Sequence, residues 1–299
     1  MNLIYFQGLN CYTSSMINAA VLIGVDYRNA LVDLWSETDL TYDQIHHLYL
    51  SRRMPANLED LGVSLKFLNC CSKQEMEKNI SSLALGQYNV VEMDAFFIPW
   101  VPYYHTLHSF HYFIVRKEKK GIFSCFDPTY DKKYMEITED DMISHASDIC
   151  QIQKTAEKQF CKGIRQETQE ILHTHQNTQE NLLEQIRECA YGKQKNGELL
   201  AKYIDALINN RYLYLHYFQN MTLLRETYDR YFHKEYFIKW TAVKHGLYKA
   251  SFRQNNQEII QEVCGHFQEL IQEEMNIARK IEALSQEEIQ EEKQPMGTR

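Results

Sequence analysis

The sequence predicts an α+β domain followed by an all-α domain, and three observations carry that expectation. Prolines stand at 55, 99, 102, 128 and 295, so none interrupts the span from 129 to 294. A proline inside a helix costs about 3 kcal/mol, and so long a span without one is what a helical domain requires. Within it Ile260, Val263, Phe267, Leu270, Ile271, Ala278 and Ile281 fall on one helical face, as do Leu200, Tyr203, Ile204, Leu207 and Ile208. The first half instead carries short β-branched and aromatic runs bounded by turn residues, the composition of strands.

Taken in order, "SSMINAAVLIG" predicts a helix ending at Gly24, and "NALVDLWSET" predicts a second. "VSLKFLN", "QYNVVEMDAFFI", "HYFIV" and "GIFSCFDP" predict strands. "ITEDDM" offers a helix start at Thr138. A boundary near 140 to 155 gives domains 1–150 and 151–299. Four to six helices follow, with Gly192, Gly197, Gly246 and Gly265 as ends or tolerated interruptions. The stretch 285–299, "SQEEIQEEKQPMGTR", reads as a frayed tail.

Composition narrows the function classes. With 299 residues, 44% of them hydrophobic, the chain can fill two ordinary cores or one large one. Its net charge is −8 and its longest basic run is "KEKK" at 117–120, which argues against a nucleic-acid partner. No stretch approaches the ~18 apolar residues of a membrane span, and the N-terminal stretch lacks a signal peptide's charged-then-apolar pattern. Eight cysteines, at 11, 70, 71, 125, 150, 161, 189 and 264, form neither a C-x-x-C pair nor a disulfide framework. That usage fits a reducing cytoplasm and predicts buried packing thiols for most of them.

Cys11 stands apart because it directly precedes the first predicted helix. Free N–H groups and the positive end of the helix dipole favour thiolate over thiol at such a position. The alternative is a small apolar filler, the common fate of a lone cysteine. A partner is available in "HYFIVRKEKKGIFSCFDP". If that hairpin is symmetric about residue 119, His111 lies directly opposite Asp127, within reach of one imidazole nitrogen. The other nitrogen would then face a thiol, as in activated nucleophiles. A slip of one residue would place the two on opposite faces, leaving a surface hairpin with a polar pair. Gln7 is the candidate side-chain oxyanion donor beside the Cys11 N–H, or else a solvated loop residue.

Other residues have two readings. His105, His108 and His111 have metal-ligand spacing for a helix, but they lead into a strand and lack an H-E-x-x-H acid; no metal site is expected. His105 and His108 are expected at the mouth of the site or on loop carbonyls. Asp94, Tyr103 and Tyr104 either read an amine or polyol acceptor or are a solvated carboxylate and loop-packing aromatics, the second being slightly favoured. The tyrosine-dense stretches 209–220 and 225–240 read as bundle core. "SRR" at 51–53 and "KEKK" are the evident basic spots for an acidic partner.

The segments "NCYTSSMINAAVLIGVDY", "DAFFIPWVPYYHTLHSFHYFIV" and "FDPTYDKKYMEITEDDM" together resemble the N-terminal domain of the butirosin-biosynthesis acyltransferase family. The order cysteine, strand histidine, aspartate before proline is similar, over roughly residues 8–145. The resemblance implies a papain-like fold, related to double-glycine leader peptidases, with Cys11, His111 and Asp127 as catalytic residues. It implies transfer of an acyl or aminoacyl group from a carrier-protein thioester through a Cys11 acyl-enzyme to an amine. An acyl or peptidyl carrier protein and an amine-bearing small molecule would be the partners, in specialised-metabolite biosynthesis. The donor's phosphopantetheine arm would enter the site, and no tightly bound cofactor is implied. Gln7 lies four residues before Cys11, nearer than the six-residue step typical of papain-like enzymes. The same triad would serve a cysteine hydrolase, either peptidase or thioesterase. A non-catalytic binding protein built on a relic site is the alternative outside enzymes.

Overall fold

The computed structural model describes residues 2–44, 47–158, 163–191, 197–220, 232–253 and 256–292. The chain divides into two compact units, one of residues 1–30 and 54–160, the other of 31–53 and 161–299. Fold class is α+β in the first and helical in the second.

The first unit begins with α1 (Cys11–Leu22). Asn10 caps it: its side chain accepts from the Thr13 N–H while the Thr13 hydroxyl accepts from the Asn10 N–H, satisfying two donors reciprocally. The helix ends as expected before Gly24, which adopts φ +76°. Beyond it, Arg28–Leu31 makes only one turn of 3-10 helix, and the helix expected over "NALVDLWSET" does not form. Leu31, Val32, Leu34 and Trp35 are all fully buried, so this stretch has no solvent face for an amphipathic helix to present. It crosses into the second unit, where β1 (Thr41–Asp43) and β2 (Leu48–Leu50) form a small hairpin.

The chain returns to the first unit through α2 (Arg53–Asp60) and builds a six-stranded antiparallel sheet. Its strands are β3 (Val63–Phe67), β4 (Tyr88–Asp94), β5 (Phe110–Lys119), β6 (Ile122–Asp127), β7 (Lys132–Thr138) and β8 (Ala146–Lys154), in the order β3-β8-β4-β5-β6-β7. Helices α3 (Lys73–Ser82) and α4 (Glu139–His145) join it, α4 starting at the expected cap Thr138. Met76 and Ile80 of α3 and Met142 of α4 close a core with Val91, Met93, Phe113, Val115, Phe123, Cys125 and Ile149.

The expected boundary at 150 differs from this division. Residue 150 lies mid-strand in β8, paired with Phe67 on one side and Val90 on the other. The hydrogen-bond ladder therefore carries the first unit to about 160, and residues 31–53 belong with the helices.

The second unit contains α5 (Ile164–Glu170), a π-helical turn (Ile171–His175), α6 (Gln176–Tyr191), α7 (Gly197–Gln219), α8 (Lys234–Ser251) and α9 (Gln257–Glu292). Gly197 opens α7, whereas Gly246 lies within α8, where an added Cβ would meet Val263 of α9 at 2.3 Å. Gly265 lies within α9, and Gly192 falls outside the described residues. The tail expected from 285 is helical to Glu292, with 293–299 outside the described residues. Residues 209–220 are mostly core, as expected, while the 225–240 stretch lies partly outside the described residues. At the centre of this unit the Arg211 guanidinium donates to both oxygens of Glu274 at 2.5 and 2.9 Å, and both side chains are fully buried. Tyr236 and Gln179 also donate to that carboxylate, and Arg211 lies 4.1 Å over the Trp240 ring. No described helix is long and apolar enough to cross a membrane.

Candidate active site

The site forms where the first turn of α1 meets the start of β5. Small residues allow that approach. Ser15 is fully buried and donates to the Tyr112 carbonyl at 3.1 Å, fastening the helix to the strand beside His111. Tyr12 packs edge-on against Tyr112 at 5.2 Å. Asn18 holds the incoming chain, donating to the Ile4 carbonyl and accepting from its N–H.

Asp127 at the end of β6 supplies the acid. The His111 Nε2 donates to Asp127 Oδ2 at 2.7 Å, with His111 5% and Asp127 0% exposed. The hairpin that joins them differs from the expected one. Ile114 pairs with Phe126, and Glu118 is the extra residue of an irregularity between Lys117 and Lys119. Symmetry is thus about residue 120, and the continued register puts Phe113 opposite Asp127. His111 is its diagonal neighbour. A slip of two residues preserves the face, so the pair survives a register error that a slip of one would have destroyed.

Since Nε2 is taken by Asp127, Nδ1 is the nitrogen left for Cys11. Cys11 lies close enough to the imidazole to favour its protonated form. Burial opposes the imidazolium, but Asp127 and Cys11 outweigh it and raise the His111 pKa to about 9. Cys11 is partly exposed and in no disulfide. It is the first residue of α1, and neither its N–H nor that of Tyr12 has a partner among the described hydrogen bonds. Those are donors of the kind that hold a developing oxyanion.

No family model and no curated protein matches the chain. The site therefore stands on its own geometry.

The remaining expected residues divide. Gln7 is exposed at the corner of a turn in which the Leu9 N–H closes on the Phe6 carbonyl and Gly8 adopts φ +95°. That turn carries Gln7 outward, and no described contact ties it to Cys11. Asp94 is no solvated carboxylate: it accepts from the Phe96 and Ser109 N–H groups and from His108 Nδ1 at 2.6 Å. Despite some opposing burial, the His108 and backbone hydrogen bonds hold its pKa below the usual carboxylate range. His108 stacks on Phe96, and His105 stacks between Phe96 and Tyr104. These contacts are those of loop packing. Tyr103 lies close enough to Tyr130 to act on its hydroxyl, and Tyr130 packs against His111 at 5.3 Å. Among the described residues no group of three or more His, Cys, Asp and Glu is placed to hold a metal ion.

Three neighbours were not singled out from sequence. Trp100 Nε1 donates to Asp127 Oδ2 at 2.9 Å, the oxygen His111 uses, and its ring packs perpendicular to Phe113. The Thr129 N–H donates to Asp127 Oδ1 at 3.1 Å, a local turn that "DPT" signals. Tyr130 follows at once. The basic spots have other uses. Lys117 donates to the Ile80 and Ser81 carbonyls at the end of α3, and Lys119 is eight residues along β5 from His111, about 26 Å away. Ser51, with the Arg52 and Arg53 N–H groups, is bound to the buried Glu37 carboxylate.

Proposed function

We propose that this chain is a cysteine-dependent acyltransferase of papain-like type. The observation that carries the reading is the His111 imidazole held at Nε2 by a buried carboxylate and lying within reach of the thiol of a helix-initial cysteine. In the first half-reaction the Cys11 thiolate attacks a thioester carbonyl, an Sγ–acyl bond forms, and the donor's carbon–sulfur bond breaks. The departing thiolate takes the imidazolium proton. In the second, an amine attacks the acyl-enzyme, gives its proton to His111 and forms an amide, while Cys11 leaves as thiolate. Thioester exchange is close to energetically neutral, so the site must mainly orient the amine and exclude water. The N–H groups of Cys11 and Tyr12 would hold the oxyanion. The resemblance of residues 8–145 supports a carrier-protein thioester as donor and a specialised metabolite's amine as acceptor. Seven described cysteines, all free, fit a reducing cytoplasm.

The test is intact-mass spectrometry of the full chain with an acylated carrier protein. A Cys11 adduct that persists alone and is discharged as amide by an added amine is expected. Free acid released without any amine would assign a hydrolase to the same triad. No adduct, with Cys11 alkylated by iodoacetamide at pH 6 no faster than the other thiols, would assign a non-catalytic role.

A further inference from the structure

The mouth of the site is built from tyrosine. Tyr5 and Tyr103 are 54% and 42% exposed, while Tyr130 is half-buried with its ring against His111. Each is delivered by an anchored segment. Tyr5 follows Ile4, which is pinned to Asn18 of α1, and precedes the turn that leads into Cys11. Tyr103 stands three residues beyond Trp100, whose indole is bonded to Asp127. Tyr130 lies just past the Asp127–Thr129 turn. The groups acting on the Tyr130 hydroxyl are Tyr103, Asp127, Cys11 and Tyr5. None is a cation, and both Asp127 oxygens are already engaged by His111, Trp100 and the Thr129 N–H.

We infer that Tyr5, Tyr103 and Tyr130 form the acyl-binding rim of Cys11 and select an uncharged apolar acyl group, an aromatic one best. This rests on the acyl-transfer reading above. Tyrosine rings offer large apolar faces with few rotatable bonds, and aromatic pairs gain about 0.5–1.5 kcal/mol beyond burial, roughly a factor of 2 to 13 in rate or affinity. A carboxylate-bearing acyl chain would find the His111 imidazolium here already met by the Asp127 carboxylate at 2.7 Å. By register Lys132 lies opposite Asp127 on β7 and is exposed, while Lys133 lies opposite Phe126 and is paired with Asp131 at 3.1 Å. An ammonium-bearing chain would leave water for a rim whose one carboxylate is spent.

The experiment measures Cys11 acylation by intact mass with three N-acetylcysteamine thioesters: phenylacetyl, succinyl and 6-aminohexanoyl. In each case the Cys11 Sγ–acyl bond forms, the probe's thioester bond breaks and N-acetylcysteamine departs with the His111 proton. Phenylacetyl transfer is expected to be at least about 10-fold faster than either charged probe. In Tyr103→Ala that ratio is expected to fall by at least threefold, and in Tyr130→Ala further. Selective alkylation of Cys11 by iodoacetamide is the parallel control. If Cys11 is alkylated selectively but succinyl or 6-aminohexanoyl transfers as fast as phenylacetyl, the rim assignment is overturned while the acyltransferase reading stands; a succinyl preference would point to Lys132. If Cys11 is not selectively alkylated, the acyltransferase reading itself fails.

Discussion

At the scale of single residues, the proposed chemistry turns on what Asp127 does to His111. Burial alone would push the imidazole toward neutrality; Asp127 and Cys11 reverse the outcome and raise its pKa to about 9. In the proposed transfer the protonated imidazole would be the acid that the leaving thiolate needs, so kcat/KM should decline as pH rises through about 9. In Asp127→Asn the carboxylate charge is gone, and that upper limb should move down toward the ordinary histidine value near 6.5. A pH–rate profile checks this; an unmoved limb would remove Asp127 from the mechanism. Trp100 acts one step further out. Its indole shares Oδ2 with His111 and so fixes which way the carboxylate faces. Hydrogen bonds to charged groups contribute about 1.5–3 kcal/mol, so Trp100→Phe should lower kcat by roughly 10- to 100-fold. KM should stay near its original value, because the indole touches the acid and not the substrate. A loss confined to KM would place Trp100 in binding instead.

At the scale of elements, the first turn of α1 is the piece that everything else addresses. Its reciprocal Asn10–Thr13 cap fixes where the helix begins, hence where Cys11 points. Asn10→Ala should cost about 1 kcal/mol in urea denaturation and slow Cys11 alkylation, while Asn10→Ser should largely restore both. Equal behaviour of the two variants would show that the cap does not position the thiol. This element was legible in its small-residue face and terminal glycine, but the Asn10 cap starts the helix at Cys11, three residues before the expected Ser14. The β5–β6 pairing was legible only in part. The strands and the chemistry of their ends could be read, but the extra residue Glu118, which shifts the pairing by one between Lys119–Ile122 and Lys117–Phe123, carries no local signal. Strand β7 was not singled out because its residues alternate exposed and half-buried at a sheet edge, with little apolar pattern. Strand β8 was taken for a boundary because its partners, β3 and β4, are more than fifty residues upstream. The irregular "NALVDLWSET" path depends on remote partners too: Ser36 donates to Glu167 and Glu37 accepts from Asn210, contacts that no helical or strand period records.

At the scale of the whole molecule, each unit holds a group that ties stability to pH, and both ties have the same sign. His111 in the first unit has a folded pKa of about 9 against an unfolded value near 6.5. Its stabilisation is therefore complete below pH 6.5 and is lost as pH rises through 9. Glu167 in the second unit is almost wholly buried, and that burial raises its carboxyl to about 8 even though Ser36 donates to it twice. Folded chains hold that proton over a range, roughly pH 4.5 to 8, in which unfolded chains have released it. Glu37 is shifted upward by burial in the same sense. With more protons bound folded than unfolded, the slope of unfolding free energy against pH is negative. Calorimetry should therefore show Tm falling between pH 6 and pH 9. Glu167→Gln keeps an acceptor for Ser36 but cannot ionise, so its Tm should fall less steeply below pH 8 and as steeply as before above it, where His111 and thiols raised by burial, Cys125 and Cys150 among them, still hold protons that the unfolded chain releases. A Tm that rises or holds level over this range would mean that Glu167 remains ionised in its pocket, and the two hydrogen bonds it accepts from Ser36 would then be a charge-assisted clamp on the Leu31–Arg53 strap.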